Sequence, residues 1–406
     1  MTAPESLERR QLRELTRRFV VREVLPHLDG WERAGEVPRA LHATAAELGL
    51  LGVGFPEAVG GSGGDLRDSL AVTEELILAG GSSGLVAALF THGIAVPHIV
   101  EAWQHADQPT TADSADRPTT AAAGRRVTGD SAELVDRYVR PALAGDRIGA
   151  LAVTEPDGGS DVAALRTTAR RDGDHYLVNG AKTFITSGVR ADFVTTAVRT
   201  GPPGAAGISL LVVDKDTPGC TVDRRLDKLG WHCSDTAALS FTDVRVPVRN
   251  LVGAENSGFG ALMRQFGTER LSLATQAYAT ARRCLDLTLA WCRDRHTFGS
   301  PLARRQVVRH RLAEMATRTA AAGAYVREVA DRVAAGEKVP AEVAMAKNAA
   351  VAACDWVVDQ AVQLHGGYGY LRDSEVERHY RDARILGIGG GTTEIMNEIV
   401  AGSLGI

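Results

Sequence analysis

Along residues 5–31 the apolar positions Leu7, Leu12, Leu15, Phe19 and Val24 recur at close to a helical spacing among Arg and Glu. That period predicts an amphipathic helix with a solvated opposite face. Helical patterns continue to about Trp103, interrupted by breaks such as Gly60-Gly61-Ser62-Gly63-Gly64. The stretch 105–127 differs: Pro-Thr-Thr-Ala occurs at 109–112 and again at 118–121, with scattered Asp, Ser and Arg and almost no large apolar residue. It cannot bury enough to offset its ordering entropy, so it reads as a mobile surface insertion.

After Gly149 the texture changes to short runs rich in β-branched residues, such as Asp192-Phe193-Val194-Thr195-Thr196-Ala197-Val198 and Ile208-Ser209-Leu210-Leu211-Val212-Val213. Asp172-Gly173 and Asn179-Gly180 read as turns between strands. A small, mostly antiparallel β domain ending near Val248 is expected. Long helical patterns then return at 261–293, 302–335 and 341–364, with a shorter one near Glu394, and their short connections suggest a bundle. The expected domains are 1–148, carrying the insertion, then 149–248 and 249–406.

The 406 residues, 44% hydrophobic, can bury a large core spread over two or three domains. With 46 basic against 50 acidic side chains, no chain-wide basic field exists to track phosphates, so nucleic acid is excluded as an expected partner. The first residues are charged from Glu5 onward, and no run approaches the roughly 18 apolar residues of a membrane helix. A cytoplasmic location without membrane contact is expected. Cys220, Cys233, Cys284, Cys292 and Cys354 are odd in number and lack C-x-x-C spacing, so neither a disulfide framework nor a metal site is expected. Buried free thiols account for them.

Two separated stretches carry the chemistry. The first, Leu151-Ala152-Val153-Thr154-Glu155-Pro156-Asp157-Gly158-Gly159-Ser160-Asp161, reads as a strand entering a tight Gly-rich turn. Small residues there let backbone N–H groups approach a phosphate or ring oxygen, and Thr154 and Ser160 add donors; alone, the motif reads more readily as an ordinary β turn. The second runs from Gln363-Leu364-His365-Gly366-Gly367-Tyr368-Gly369-Tyr370 to Gly391-Thr392-Thr393-Glu394-Ile395. Neither these glycines nor Gly52-x-Gly54 have the spacing of a dinucleotide fingerprint or a P-loop.

Together the two stretches resemble the signatures of the acyl-CoA dehydrogenase family, and the resemblance covers the chain apart from the insertion. It implies an N-terminal helical domain, a middle β-barrel-like domain and a C-terminal four-helix bundle, with FAD as cofactor. It implies flavin contacts for Leu151, Val153, Thr154, Gly159 and Ser160, the serine also touching substrate. Phe184-Ile185-Thr186 resembles the family's Trp-Ile-Thr segment, whose aromatic packs on the isoalloxazine and whose threonine reaches N5; Phe184 keeps the stacking surface without the indole donor. Arg295, Phe298 and Gln306 resemble the segment that holds the adenosine and pyrophosphate of a neighbouring subunit's FAD, where a planar guanidinium suits phosphate. Gln363, Gly366 and Gly367 match the adenine-end segment, and Thr392 with Glu394 the turn near the flavin phosphates. A homo-oligomer, dimer or tetramer, with FAD at the subunit interface follows from the resemblance.

Dehydrogenation of an acyl thioester needs one carboxylate at the α carbon. The commonest family members place it immediately before the Gly-Thr turn, where this chain has Gly389-Gly390-Gly391-Thr392. The isovaleryl-CoA and long-chain members supply it instead from a Glu-Arg-Leu sequence, matched here by Glu269-Arg270-Leu271. Loss at 390 and gain at 269 compensate, so Glu269 is the expected base. Its bland alternative is a solvated helix glutamate paired with an arginine; Glu394 is the competing carboxylate. Arg270, Gly390 and Gly391 are expected at the substrate, with the Gly390 N–H polarising its carbonyl, and the three glycines leave room for branched acyl chains.

The resemblance thus implies α,β-desaturation of an acyl-CoA to the trans-2-enoyl thioester, within fatty acid metabolism, with electrons passing to an electron-transfer flavoprotein. A flavin oxidase or monooxygenase of the same fold, a substrate carried on an acyl-carrier protein, and a degenerate partner subunit are the alternatives. Lone histidines such as His92 and His365 read as hydrogen-bonded structural residues, and the five tryptophans as packing.

Overall fold

The computed structural model describes residues 5–106 and 128–406, so most of the expected insertion, 107–127, lies outside the described residues. The chain begins with α1 (Leu7–Phe19), α2 (Leu28–Ala34), α3 (Arg39–Glu47), α4 (Leu66–Leu78), α5 (Ser83–Leu89), α6 (His92–Ala95) and α7 (Pro97–Gln104). Ser6 caps α1 by accepting from the Arg9 N–H, and Arg17 and Arg18 suit its C-terminal end. The helix widens into one π-type turn, Val20–Val24, and stops before Pro26 and His27, so the expected single helix to Trp31 is two. Proline supplies no N–H to continue the ladder. Asp65 and Asp68 form a reciprocal capping box on α4. The polar face of α1 then runs along α4 as a ladder: Arg9 to Asp68 at 2.8 Å, Arg13 to Glu74 at 2.6 Å and Arg17 to Glu75 at 2.8 Å.

Two short helices, α8 (Ser131–Leu134) and α9 (Arg140–Leu143), lead into the sheet. Its strands are β1 (Gly149–Ala152), β2 (Thr168–Asp172), β3 (His175–Thr186), β4 (Phe193–Arg199), β5 (Ile208–Asp214), β6 (Cys220–Arg225) and β7 (Thr236–Pro247). They order as β1-β4-β2-β3-β7-β6 with β5 on β4, a curled and mostly antiparallel sheet in which β1 and β4 run parallel. Asp172-Gly173 makes the expected turn between β2 and β3. Asn179-Gly180 does not: it lies inside β3, where the register to β7 slips between Val178 and Gly180. A β-carbon on Gly180, at φ 149°, would sit 2.6 Å from Thr167 Oγ1, so the glycine serves a bulge and a close strand approach.

The C-terminal part contains α10 (Gly258–Asp294), a small hairpin of β8 (His296–Thr297) and β9 (Ser300–Pro301), α11 (Gln306–Ala334), α12 (Pro340–His365), α13 (Glu375–Ala383) and α14 (Thr393–Ser403). Helix α13 was not expected from the pattern; only Val376 and Ala383 are buried and apolar on it, while Arg378, His379 and Asp382 are buried and polar. One buried cluster joins α1, α4 and α5 to α10, α11 and α12. A second joins the sheet's Phe193, Leu210 and Val212 to α7 and to Leu262 of α10. The 37 residues of α10 span about 55 Å and so touch both clusters. Four cysteines are buried free thiols as expected, while Cys220 is half-buried on β6. No helix among the described residues is long and apolar enough to cross a membrane.

Candidate active site

Glu269 lies on α10, three residues after Phe266, and is half-buried. The turn Gly389-Gly390-Gly391 sits against it. A methyl group added to Gly390 would lie 3.5 Å from Glu269 Oε1 and 2.6 Å from Leu273 Cδ1. Gly390 and Gly391 have φ of 64° and 94°, a left-handed run that glycine adopts without strain. The carboxylate from α10 therefore abuts the backbone position whose side chain is missing. Arg270 does not form with it the ion pair of the alternative reading; its Nε donates to the Gly390 carbonyl at 3.0 Å.

Burial raises the pKa of Glu269, against the opposing charges of Lys347 and Arg270. Glu394 behaves oppositely: it is exposed on the first turn of α14, and hydrogen bonds from its own N–H and from Thr392 lower its pKa. Of the two candidate carboxylates, only Glu269 has the environment of a base kept partly dry. Thr392 caps α14, its Oγ1 accepting from the Ile395 N–H at 3.3 Å. The sequence reading missed Lys347, which is 1% exposed on α12 and donates to the carbonyls of Gly389 and Gly391, both at 2.5 Å. Its signal was a lone cation among Ala344, Ala346, Ala350 and Val351, all buried.

At the sheet, β1 ends beside β3, and the Thr183 N–H donates to the Thr154 carbonyl at 2.9 Å. Beneath this join lies an ion pair that the sequence reading also missed: Lys182 Nζ meets Glu155 Oε1 at 2.8 Å and the Val153 carbonyl at 2.9 Å. Glu155 further accepts from the N–H groups of Arg166 and Thr167. Both side chains are buried, and burial lowers Lys182 to about 8 with Glu155 opposing. Glu155 of the first motif is thus structural, and it anchors the turn that carries exposed Gly159 and Ser160. Leu151 and Val153 pack into the cluster that also takes Phe266, which links this turn to the helix of Glu269. Phe184 has a φ of 59° and remains 68% exposed; Ser187 has a φ of 58° and is held by Thr91 at 2.6 Å. Left-handed backbone at two non-glycine residues costs energy and concentrates at functional sites. Thr186 lies between them, half-buried.

A third group lies at the far ends of α10 and α12. Arg295, Thr297, His365, Gly366, Gly367 and Tyr368 line a cavity of about 540 Å³. Trp291 also lines it, stacked on His365 at 5.1 Å, with the Arg295 guanidinium over its ring at 5.9 Å. Phe298 stands at the tip of the β8–β9 hairpin with φ 48° and is 97% exposed. Gln363 is exposed beside this group, whereas Gln306 lines a different cavity with His310, Arg311 and Trp356. The expected residues therefore fall in four places: the Glu269 turn, the ends of β1 and β3, the α10–α12 end and, for Gln306, a separate cavity on α11.

These surfaces fit a flavin dinucleotide. Phe184 stays 68% exposed on left-handed backbone near the end of β3, and Arg295 presents a guanidinium without a carboxylate partner among the described residues. Added β-carbons on Gly366 and Gly367 would meet nothing within 4 Å, leaving open backbone for close approach. His92 and His365 have the structural hydrogen bonds expected of them, to the carbonyls of Leu51 and Ala361.

The profiles of three family domains match the chain: acyl-CoA dehydrogenase, N-terminal domain at residues 6–108, middle domain at 150–244 and C-terminal domain at 256–405. The long-chain specific acyl-CoA dehydrogenase of Sus scrofa mitochondria is 36% identical over 392 residues, covering 96% of this chain and 84% of the relative. A 3-(aryl)acrylate reductase of Clostridium sporogenes is 30% identical, covering 97% of each chain. The crystal structure of a probable acyl-CoA dehydrogenase from Mycobacterium abscessus has a TM-score of 0.91 at 60% identity, covering 99% of this chain and 100% of the other.

Proposed function

The chain belongs to the acyl-CoA dehydrogenase family of oxidoreductases, and we propose that it desaturates an acyl-CoA between its α and β carbons with FAD as cofactor and Glu269 as base. One observation carries the assignment of the base: the Glu269 carboxylate packs against a side-chain-free Gly390 and is driven toward a higher pKa by burial. Glu269 takes the α proton of the thioester. FAD, when bound, would supply the acceptor for the hydride of the β carbon, while the electron pair of the broken α C–H bond becomes the new double bond. The Gly390 N–H donates to the thioester carbonyl, which favours the enolate-like charge that develops as the proton leaves. Arg270 and Gly391 border the same space.

Val153, Thr154, Gly159, Ser160, Phe184 and Thr186 hold the flavin end. Arg295, Phe298, Gln306, Gln363, Gly366, Gly367, Thr392 and Glu394 hold the remainder, with the Arg295 group serving a second copy of the chain. The 97% exposed Phe298 and the open Arg295 cavity support that sharing, and a dimer or tetramer follows. An electron-transfer flavoprotein is the acceptor. The deciding experiment is anaerobic titration of the FAD-loaded protein with straight and branched acyl-CoAs, with the products identified by mass spectrometry. Bleaching with a 2-enoyl-CoA product is expected. A protein that no acyl-CoA reduces, yet that consumes oxygen with another substrate or reacts only with an acyl-carrier-protein thioester, would replace this reading with the corresponding alternative.

A further inference from the structure

A lysine side chain that is 1% exposed is uncommon because charge is costly to desolvate. Lys347 sits on the apolar face of α12 and donates to two carbonyls, those of Gly389 and Gly391. Arg270 takes the carbonyl between them. All three consecutive carbonyls of the glycine turn are thereby turned onto cations. Among the described residues the N–H groups of Gly390 and Gly391 donate to nothing, and Gly390 abuts Glu269, an added β-carbon there lying 3.5 Å from its Oε1. Glycine is the least constrained backbone, so a three-glycine turn needs outside contacts to hold one shape. Two cations from two different helices provide them.

We infer that Lys347 is a positioning residue for dehydrogenation: it clamps the turn so that the free N–H groups and the Glu269 carboxylate keep a fixed relation. This rests on the reading of Glu269 as base. The same ammonium acts on Glu269 through space, favouring its ionised form. The charged groups facing Glu269 are Lys347 from α12 and Arg270 from α10, and Lys347 exerts the larger opposing effect. Burial lowers Lys347 itself to about 8, so its charge weakens above that pH.

The test compares Lys347→Met, Lys347→Gln and Lys347→Arg as FAD-loaded proteins, with Glu269→Gln alongside. The rate of flavin bleaching by the best acyl-CoA is followed against pH. The Glu269 carboxyl is also titrated in each protein by infrared difference against its own Glu269→Gln version, which needs no turnover. Loss of the clamp is expected to slow bleaching about a hundredfold, the scale of a misplacement of about 1 Å. In the Met and Gln variants the Glu269 titration should move upward, and Arg should restore both readouts in part. Slower bleaching with an unmoved Glu269 titration in all three variants means a packing role only and overturns the inference, as does an unchanged rate. Where Lys347→Met fails to fold, the Gln and Arg pair decides by the same criteria. If Glu269→Gln bleaches like the parent, the base assignment fails instead, and the two failures are told apart.

Discussion

Replacing Gly390 with alanine tests the fit between the turn and the carboxylate. At φ 64° the new residue sits in left-handed backbone, which costs an L residue about 1–2 kcal/mol. Its methyl would lie 2.6 Å from Leu273 Cδ1, the end of a side chain that is only 6% exposed. Overpacking of a filled core adds about 1–3 kcal/mol. Because the clashing atom ends a flexible side chain, the lower part of that range applies, giving a total of about 3 kcal/mol. The shift in denaturation midpoint, multiplied by the common slope, measures it. Bleaching by acyl-CoA should fall together with stability, since any movement of the turn that relieves the Leu273 clash changes its relation to Glu269 Oε1, 3.5 Å from the new methyl. Leu273→Val removes the clashing methyl, and Gly390→Ala in that background should cost about 1 kcal/mol less, a coupling typical of touching residues. Additive costs, or a Gly390→Ala protein with parental stability and rate, would refute the packed arrangement.

Lys182→Met leaves Glu155 buried without its cation, and removing one member of a buried pair costs about 3–5 kcal/mol; urea unfolding should show it, and Ser160-side flavin retention should drop with it. His42, His92 and His98 are each held by burial at about 4, below their usual value. They stay neutral when folded but bind protons when unfolded below about 6.5, so stability is full above that pH and falls as pH drops toward 4. Each contributes about 3 kcal/mol to the loss, and a His98→Leu protein should show a shallower fall between pH 6.5 and 4 in denaturation series. Arg295→Ala should lower the FAD retained per subunit after gel filtration and weaken assembly at low protein concentration, while leaving the Glu269 titration unmoved; unchanged FAD content would remove the Arg295 cavity from the cofactor site.

Much of this was legible in the sequence because the relevant patterns are local. Apolar periods mark α1 and the three long C-terminal helices, whereas Glu269 as the proposed base came from the family resemblance and not from any local pattern. What failed was nonlocal or ambiguous. Asn-Gly suits both a hairpin turn and a bulge, and the partner that decides, Thr167, lies just before β2, across from β3. Helix α13 lacked an apolar period because its buried face is ionic, including Asp382, which accepts from the Trp231 and Gly84 N–H groups. Lys182 and Lys347 are single cations in otherwise ordinary strand and helix patterns. Their partners are backbone carbonyls and a distant glutamate, which spacing along the chain does not encode.

The most direct test of the account is anaerobic flavin bleaching by the preferred acyl-CoA in three FAD-loaded proteins: the parent, Glu269→Gln and Glu394→Gln. The account predicts bleaching in the parent and in Glu394→Gln, and none in Glu269→Gln with its FAD still bound. Bleaching that survives in Glu269→Gln and disappears in Glu394→Gln would contradict it.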